Sequence, residues 1–378
     1  MSEWKEYKFS DFVDINPSIK LPKDNPISFV EMKNLDSSLR YCESEQTKIL
    51  SGGSRFMNGD TLFARITPCL ENGKICQVRN LQDGIGFGST EFHVFRGIEG
   101  ISDTDFVYYL SRYEEVRAHA ENNMEGSSGR QRVPKEAFDN LFISLPPLAE
   151  QQRIASILSS LDDKIDLLHR ENKTLEAMAE TLFRQWFIEE AKEDWKEGKL
   201  GDVCMYVTKK IDVTNVSVDT YISTENMCPN KHGEIKASSV PENIKVTEYI
   251  YDDILLSNIR PYFKKLWLAD RNGGCSNDVL CIRSKSEYFK YFTYYTIRQN
   301  DFFDYVMLGA KGCKMPRGDK QHIINWSVII PPDGILKEFN TIVSERMTKI
   351  RNNDKQIKTL IQIRNILLPK LMSGEIKI

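Results

Sequence analysis

The sequence predicts an α+β fold built in duplicate, and three observations carry that expectation. Four segments recur in the same order about 190 residues apart. Each copy opens with short β-like runs and helical patches separated by Gly, Asn and Asp turns. Each copy then closes on some forty residues of helical periodicity, introduced by a double proline.

Repetition comes first, because a missed repeat misplaces everything after it. WKEYKFSDF at Trp4 recurs as WKEGKLGDV at Trp195, 191 positions on. GDTLFARITP, ending at Pro68, recurs 193 on as DDILLSNIRP, ending at Pro261. FVYYL at Phe106 returns as FTYYT at Phe292, 186 on. LPPLAEQQRIASIL matches IPPDGILKEFNTIV with Pro146 on Pro331, a shift of 185 that persists to Leu182 on Leu367. One match is chance; four in order make a tandem duplication. At 378 residues the chain also exceeds one ordinary core.

Each unit divides in two. Residues 1–147 and 195–332 carry the strands, among them TLFARI, EFHVFR and FISL, then DILLSNI, DVLCIR and SVII. TDFVYYLSRYEEVRAHA is a helical patch between strands. Residues 148–194 and 333–378 are the helical parts. Proline ends the preceding strand, since it cannot continue a ladder and holds its predecessor extended. Leu158, Leu161, Ile165, Leu168, Leu175, Ala179, Leu182 and Trp186 then follow the 3–4 alternation of heptad positions a and d, broken by Asn172. A lone polar residue there fixes register at some cost in stability. In the second copy Val343, Ile350, Ile357, Leu360, Leu367 and Leu371 fit, whereas Arg346, Asn353 and Arg364 interrupt. A helix of about 40 residues is roughly 60 Å long, too long to bury in one small domain. The two are expected to pack on each other as a rod, the alternative being ordinary core helices.

Composition bounds the function. Hydrophobic residues make up 40% and charged residues 28%, as in a globular protein. No apolar run reaches the roughly 20 residues that span a bilayer. The start, MSEWKEYKFSDF, does not read as a signal peptide, so a cytoplasmic location and no membrane partner are expected. The eight cysteines lack zinc spacing, so no metal site is expected and reduced thiols are. The net charge of −3 hides segregation: Arg260 to Lys320 holds twelve Lys/Arg against six Asp/Glu, while Leu148 to Glu197 holds seven against twelve. Such a basic stretch is either a partner surface or a solvated face. No phosphate loop, dinucleotide fingerprint, Asn/Asp-Pro-Pro-aromatic motif, His-Glu-x-x-His or Gly-x-Ser-x-Gly occurs, so no catalytic residue and no cofactor are expected in this chain.

The strand-end loops carry the remaining signal. FARITPCLENGK holds Arg65, Thr67, Asn72 and Lys74; GFGSTEF holds Ser89, Thr90 and Glu91; EGSSGRQRV holds Ser128, Arg130, Gln131 and Arg132. In the second unit SNIRPYFKK supplies Asn258, Arg260, Tyr262, Lys264 and Lys265, GGCSNDV supplies Ser276 and Asn277, and GAKGCKMPRGDK supplies Lys311, Lys314 and Arg317. These residue types read base edges: Arg pairs with guanine, Asn or Gln with adenine, and Glu with cytosine. Small neighbours let the backbone approach phosphate. Solvated turns are the competing reading.

LPPLAEQQRIASILSSLDDKI followed by LFRQWF resembles the conserved repeat of the specificity subunits of type I restriction–modification systems, and LLPKLMSGEI resembles their C-terminal conserved region. GDTLFARITPCLENGK and GFGSTEFHVFR are similar to one subclass of that family's target recognition domains. PPDGILKEF departs from the pattern, because it lacks the pair Glu150–Gln151. The resemblance implies two tandem α/β target recognition domains in a pseudo-two-fold arrangement, separated by a pair of long antiparallel coiled-coil helices. Each domain would read one half of a bipartite asymmetric site in double-stranded DNA. The helices, through Glu150, Gln151, Leu161, Leu168, Asn172, Leu175, Leu182, Ile350, Ile357, Leu360 and Leu367, would set the gap and dock two methyltransferase subunits. Restriction/translocase subunits would join, with S-adenosylmethionine, ATP and Mg held by the partners. A dumbbell-shaped protein–protein scaffold and an orphan DNA-binding subunit remain open alternatives.

Overall fold

The computed structural model describes residues 4–242 and 245–378. The first three residues of the opening segment, on which the absence of a leader was partly read, lie outside that range. The chain divides into two compact units, Met1–Glu171 with Asn353–Ile378, and Asn172–Asn352. Each long helix therefore contributes one half to each unit.

In unit 1 the outermost pairing joins strand Lys5–Lys8 to strand Phe142–Leu145, antiparallel. Residue 145 is followed by Pro146 and Pro147, and the central helix Leu148–Arg184 begins directly after them. A five-stranded sheet runs in the order Val13–Ile15, Phe92–Gly97, Thr61–Ala64, Ile75–Val78, Tyr41–Cys42. A second, four-stranded sheet runs Gln46–Lys48, Ile27–Val30, Ile85–Gly88, Ser54–Met57. Helix Thr104–Arg112 lies on the first sheet, capped at its start by the Asp103 carboxylate, which accepts from the Phe106 N–H at 2.9 Å. Phe9, Phe63, Phe95 and Phe138 meet between sheet and helices, with Phe9 5.5 Å from Phe95 and 5.3 Å from Phe138. These aromatic contacts add to the burial of apolar area that drives the unit together.

Unit 2 repeats the plan. Strand Lys196–Lys199 pairs with Ser327–Ile330, and the terminal helix Asp333–Met372 follows Pro331 and Pro332. One sheet runs Cys204–Tyr206, Val279–Ser284, Ile254–Ser257, Leu266–Leu268. The other runs Lys210–Asp212, Lys245–Tyr249, Gly273–Cys275, Tyr221–Ile222. In the smaller sheets three strands correspond between units, including the parallel pairs Ile27–Val30 with Ile85–Gly88 and Tyr221–Ile222 with Gly273–Cys275. The fourth strand differs. Gln46–Lys48 joins the Ile27–Val30 edge, whereas Lys210–Asp212 joins Lys245–Tyr249, the opposite edge.

The helices run 37 and 40 residues, about 55 and 60 Å at 1.5 Å per residue. Within unit 1 their halves pack together through Ile165, Leu168 and Ile357, with Leu360 partly buried beside them. Asp162 pairs with Arg364 at 2.7 Å, and Asn353 Nδ2 donates to Glu171 Oε2 at 2.8 Å. Rising numbers on one helix meet falling numbers on the other, so the pairing is antiparallel. Within unit 2, Phe339 meets Phe183 and Phe187 with ring centroids 6.1 and 4.8 Å apart. The expected stripe is present, with Leu158, Ile165, Leu168, Asn172, Ala179, Ile350 and Ile357 buried. Leu161, Leu175, Leu182 and Leu367 are only partly buried. Phe183 and Phe187 take over the contact near the end of the central helix, which closes on a π-helical turn, Gln185–Glu189. The interruption at Arg364 is a buried ion-pair layer.

Among the described residues no helix is long and apolar enough to cross a membrane, and no cluster of His, Cys, Asp or Glu could hold a metal ion. The eight cysteines are free thiols, and burial pushes those of Cys204 and Cys275 up to about 12.

Candidate nucleic-acid interface

Where strand Thr61–Ala64 ends, three loops of unit 1 are stitched side by side through peptide groups. The Arg65 N–H donates to the Glu91 carbonyl at 3.0 Å, and the Val133 N–H donates to the Arg65 carbonyl at 2.9 Å. The Thr67 N–H donates to Gln131 O at 3.0 Å, and Glu125 and Arg132 exchange bonds of 2.9 and 2.8 Å. One ion pair closes the frame. Arg132 Nε lies 3.0 and 2.8 Å from the two Glu91 oxygens, with Nη2 2.6 Å from Oε1. Hydrogen bonding to Arg132 holds the Glu91 carboxyl below its ordinary range.

Unit 2 builds the same frame from other residues. The Asn258 N–H donates to Asp278 O at 2.8 Å, and the Gly318 N–H donates to Asn258 O at 3.1 Å. The Arg260 N–H donates to Pro316 O at 2.8 Å, and Lys311 and Arg317 exchange two bonds of 2.9 Å. Arg317 Nη2 lies 3.0 Å from Asp278 Oδ1. By these equivalent bonds Arg65 matches Asn258 and Thr67 matches Arg260 at a shift of 193, Glu91 matches Asp278 at 187, and Arg132 matches Arg317 at 185.

At the opposite end of each frame-bearing strand sits an ion pair on a buried aspartate, which the sequence did not single out. Asp60, 1% exposed, is gripped by Arg96 Nε and Nη2 at 2.6 and 2.7 Å and accepts from the Met57 N–H at 2.8 Å. Asp253, also 1% exposed, is held by Arg283 at 2.7 Å on both oxygens and accepts from the Ile250 N–H at 2.8 Å. Each pair ties the strand that ends in the frame to its neighbour. The signal was available, because Asp60 and Asp253 stand at the same place in GDTLFARITP and DDILLSNIRP.

The loop residues singled out from sequence divide into those that build the frame and those left open. Gln131 and Thr67 bond each other, the Gln131 N–H also donating to Thr67 Oγ1 at 3.1 Å. Ser89 Oγ accepts from the Glu91 N–H at 3.1 Å, and Lys74 Nζ donates to Met32 O at 2.9 Å. Lys265 Nζ donates to Thr224 O at 2.6 Å, Asn277 Oδ1 accepts from Lys210 Nζ at 2.6 Å, and Lys311 pairs with Asp319 at 2.7 Å. Asn72, Thr90, Ser128, Arg130, Arg260, Tyr262 and Lys314 are exposed. Arg65 Nε, Asn258 Oδ1 and Ser276 Oγ are buried without a hydrogen-bond partner in the free protein. Arg65 and Thr90 also line a cleft of about 280 Å³ with Asn16, Ser18, Ser54 and Arg55. Those four come from distant segments, so no local pattern pointed to them.

Part of the basic excess between Arg260 and Lys320 is spent internally. Arg271 pairs with Glu234 and Asp270, Arg283 with Asp253, Lys290 with Asp252 and Glu287, and Arg298 with Glu176 and Glu180. Arg260, Lys264, Lys265 and Lys314 remain beside the frame. Lys264 Nζ donates to the neutral Asn300 Oδ1 at 2.8 Å.

Glu150 and Gln151 turn inward. Gln151 is 1% exposed; its Nε2 donates to Pro146 O at 2.9 Å and Ile101 O at 3.1 Å, while its Oε1 accepts from the Asp103 N–H at 2.9 Å. Glu150 is buried and accepts from Trp4 Nε1 at 3.3 Å. Both therefore anchor the helix root within unit 1. At the shift of 185 the second copy places Ile335 and Leu336, with Leu336 fully buried.

Fold and site together define a chain of two tandem loop-bearing units with shared helices. Residues 1–177 match the family model described as the type I restriction modification DNA specificity domain. The chain is 31% identical over 205 residues to the type I restriction enzyme EcoEI specificity subunit of Escherichia coli, covering 51% of this chain and 34% of that protein. It is 26% identical over 312 residues to the MjaIX specificity subunit of Methanocaldococcus jannaschii, covering 73% and 69%. The aligned part thus spans about a third of the length of the first of these relatives. A crystal structure of the type I restriction–modification S subunit from M. genitalium shares the fold over 98% of this chain and 96% of that one, with a TM-score of 0.55 at 14% identity. The family model matched by residues 1–177 and the curated relatives matched in sequence thus point the same way, towards the specificity subunits of type I restriction–modification systems, while the solved structure shows a shared fold.

Proposed function

We propose that this chain is the non-catalytic sequence-recognition subunit of a type I restriction–modification complex acting on double-stranded DNA in the cytoplasm. Each loop frame reads one half of a bipartite, asymmetric site. One observation carries the reading: the same peptide frame is built twice, yet the side chains it presents differ. A duplicated catalytic site would repeat its side chains, whereas two readers of different sequences repeat only the scaffold. Exposed Thr90, Arg130, Arg260 and Lys314 are the types that meet bases and phosphates.

The paired helices set the unread gap between half-sites and offer their outer faces to two methyltransferase subunits, with restriction/translocase subunits joining that complex. S-adenosylmethionine, ATP and Mg belong to those partners. Sequencing methylated adenines in cells with and without the gene tests this reading. The expected result is one bipartite sequence whose methylation disappears on deletion. Lengthening both helices by seven residues, about 10 Å, is expected to widen the gap by about three base pairs at 3.4 Å each while leaving the bases read unchanged. Affinity of the chain for DNA is expected to fall steeply with salt. Salt-independent binding to proteins alone would identify a scaffold instead.

A further inference from the structure

The turn after strand Ile254–Ser257 in unit 2 presents two half-exposed aromatic rings at the surface. Arg260 and Lys264, neither of them glycine, bracket it at φ +49° and +51°. Between them Pro261–Phe263 makes one 3-10 turn. Three hydrogen bonds fix its ends. The Arg260 N–H donates to Pro316 O at 2.8 Å, the Lys231 N–H donates to Lys264 O at 2.8 Å, and Lys264 Nζ donates to Asn300 Oδ1 at 2.8 Å. Pro261 is buried, while Tyr262 is 47% and Phe263 37% exposed, with ring centroids 4.6 Å apart. Left-handed backbone at residues with side chains persists where the surrounding structure over-determines it, and such positions gather at sites of function.

The equivalent positions of unit 1, 193 residues earlier, are Cys69 and Leu70, and Leu70 is fully buried. The feature therefore belongs to unit 2 alone. Its surroundings are cationic: Arg260, Lys264 and Lys265 lie on the turn, and Lys314 lies on the loop bonded to it through Pro316. A surface of paired aromatic faces ringed by cations matches bases flanked by phosphates.

The geometry points to an aromatic wedge: Tyr262 and Phe263 enter the base stack at one step of the half-site read by unit 2. The cations around them neutralise the flanking phosphates. This rests on the DNA-recognition reading above and adds a mode of contact absent from unit 1. A side chain inserted between base pairs unstacks the step and kinks the duplex. The wedge thus selects a deformable step, such as a pyrimidine–purine one, without reading base edges.

The test uses the full chain and a duplex selected by it from a randomised library, resynthesised with 2-aminopurine at successive positions. The wild type is expected to raise the fluorescence at one step, in one half-site only. Tyr262→Ala with Phe263→Ala is expected to abolish that signal and weaken binding about tenfold or more, with the salt slope unchanged. Tyr262→Trp is expected to keep both, and circular dichroism is expected to show the double variant still folded at the assay temperature, so that the lost signal reports lost contact. Lys314→Ala is expected to do the reverse, lowering the salt slope and keeping the signal. Sequence-selective, salt-dependent binding with no enhanced position, or with the double variant as tight as the wild type, overturns the wedge and leaves the recognition reading standing. Loss of a co-purifying protein in the double variant, with DNA contact intact, makes the rings a protein contact and also overturns it. Failure to select any sequence overturns both.

Discussion

His93 shows how a single side chain supports the interface from below. It is 1% exposed, with Nε2 2.9 Å from Val133 O and Nδ1 3.2 Å from Asn16 Nδ2. A neutral ring that donates through Nε2 and accepts at Nδ1 satisfies both neighbours, and Val133 is itself bonded to Arg65. Burial pushes its pKa down to about 4. The unfolded value is about 6.5, so the unfolded chain binds more protons between those limits. Its contribution is therefore full above about pH 6.5 and is lost as pH falls towards 4, by roughly 3 kcal/mol. Urea unfolding at pH 7 and pH 4.5 is expected to show a larger loss in the wild type than in His93→Gln. An equal loss in both would remove this role. Little of this was legible in the sequence, because a histidine in EFHVFR reads equally as strand face or ligand. Two loop positions were more legible: Arg65 and Thr90 fall just after strands Thr61–Ala64 and Ile85–Gly88, and chain punctuation marks strand ends. Which loop residues would be consumed by the frame, as Thr67 and Ser89 are, depended on loops brought together from distant sequence.

At the scale of elements, the helix pair was readable in outline from its heptads and proline pairs. Its polar layer was not. Arg364 interrupts the apolar stripe, and its partner Asp162 stands one position beyond Leu161, off the expected stripe. Only packing brings them to 2.7 Å, where Tyr109 Oη also donates to Asp162 at 2.7 Å. Removing one member leaves the other buried and uncompensated. Arg364→Met is expected to cost about 3–5 kcal/mol, and Asp162→Leu added to it to recover most of that loss. Denaturant midpoints of the two variants check this; equal destabilisation would mean that the pair is not coupled. The smaller sheets teach a related lesson. The Gln46–Lys48 and Lys210–Asp212 strands are three residues each and edge-bound, too short for pattern to fix which edge they join. Even two copies of one ancestral unit settled that differently.

For the whole molecule, duplication was the most legible property, since it shows as repeated text and needs no folding to detect. It predicts independence of the two readers. Thr90→Ala with Arg130→Ala in unit 1 is expected to relax or change only one half of the methylated sequence, and the other half is expected to stay as it was. Adenine-methylation sequencing of the variant checks this, and simultaneous change in both halves would refute it. The frames explain why such independence can arise. Their loops are joined chiefly by peptide N–H and carbonyl groups, which every residue except proline supplies in full. A substitution at Asn72, Thr90 or Lys314 leaves those joints untouched. On the recognition reading proposed above, lineages carrying this chain can therefore drift to new targets one side chain at a time, with no folding barrier between old preference and new. Diversification is then limited by whether the rest of the host tolerates the altered modification pattern.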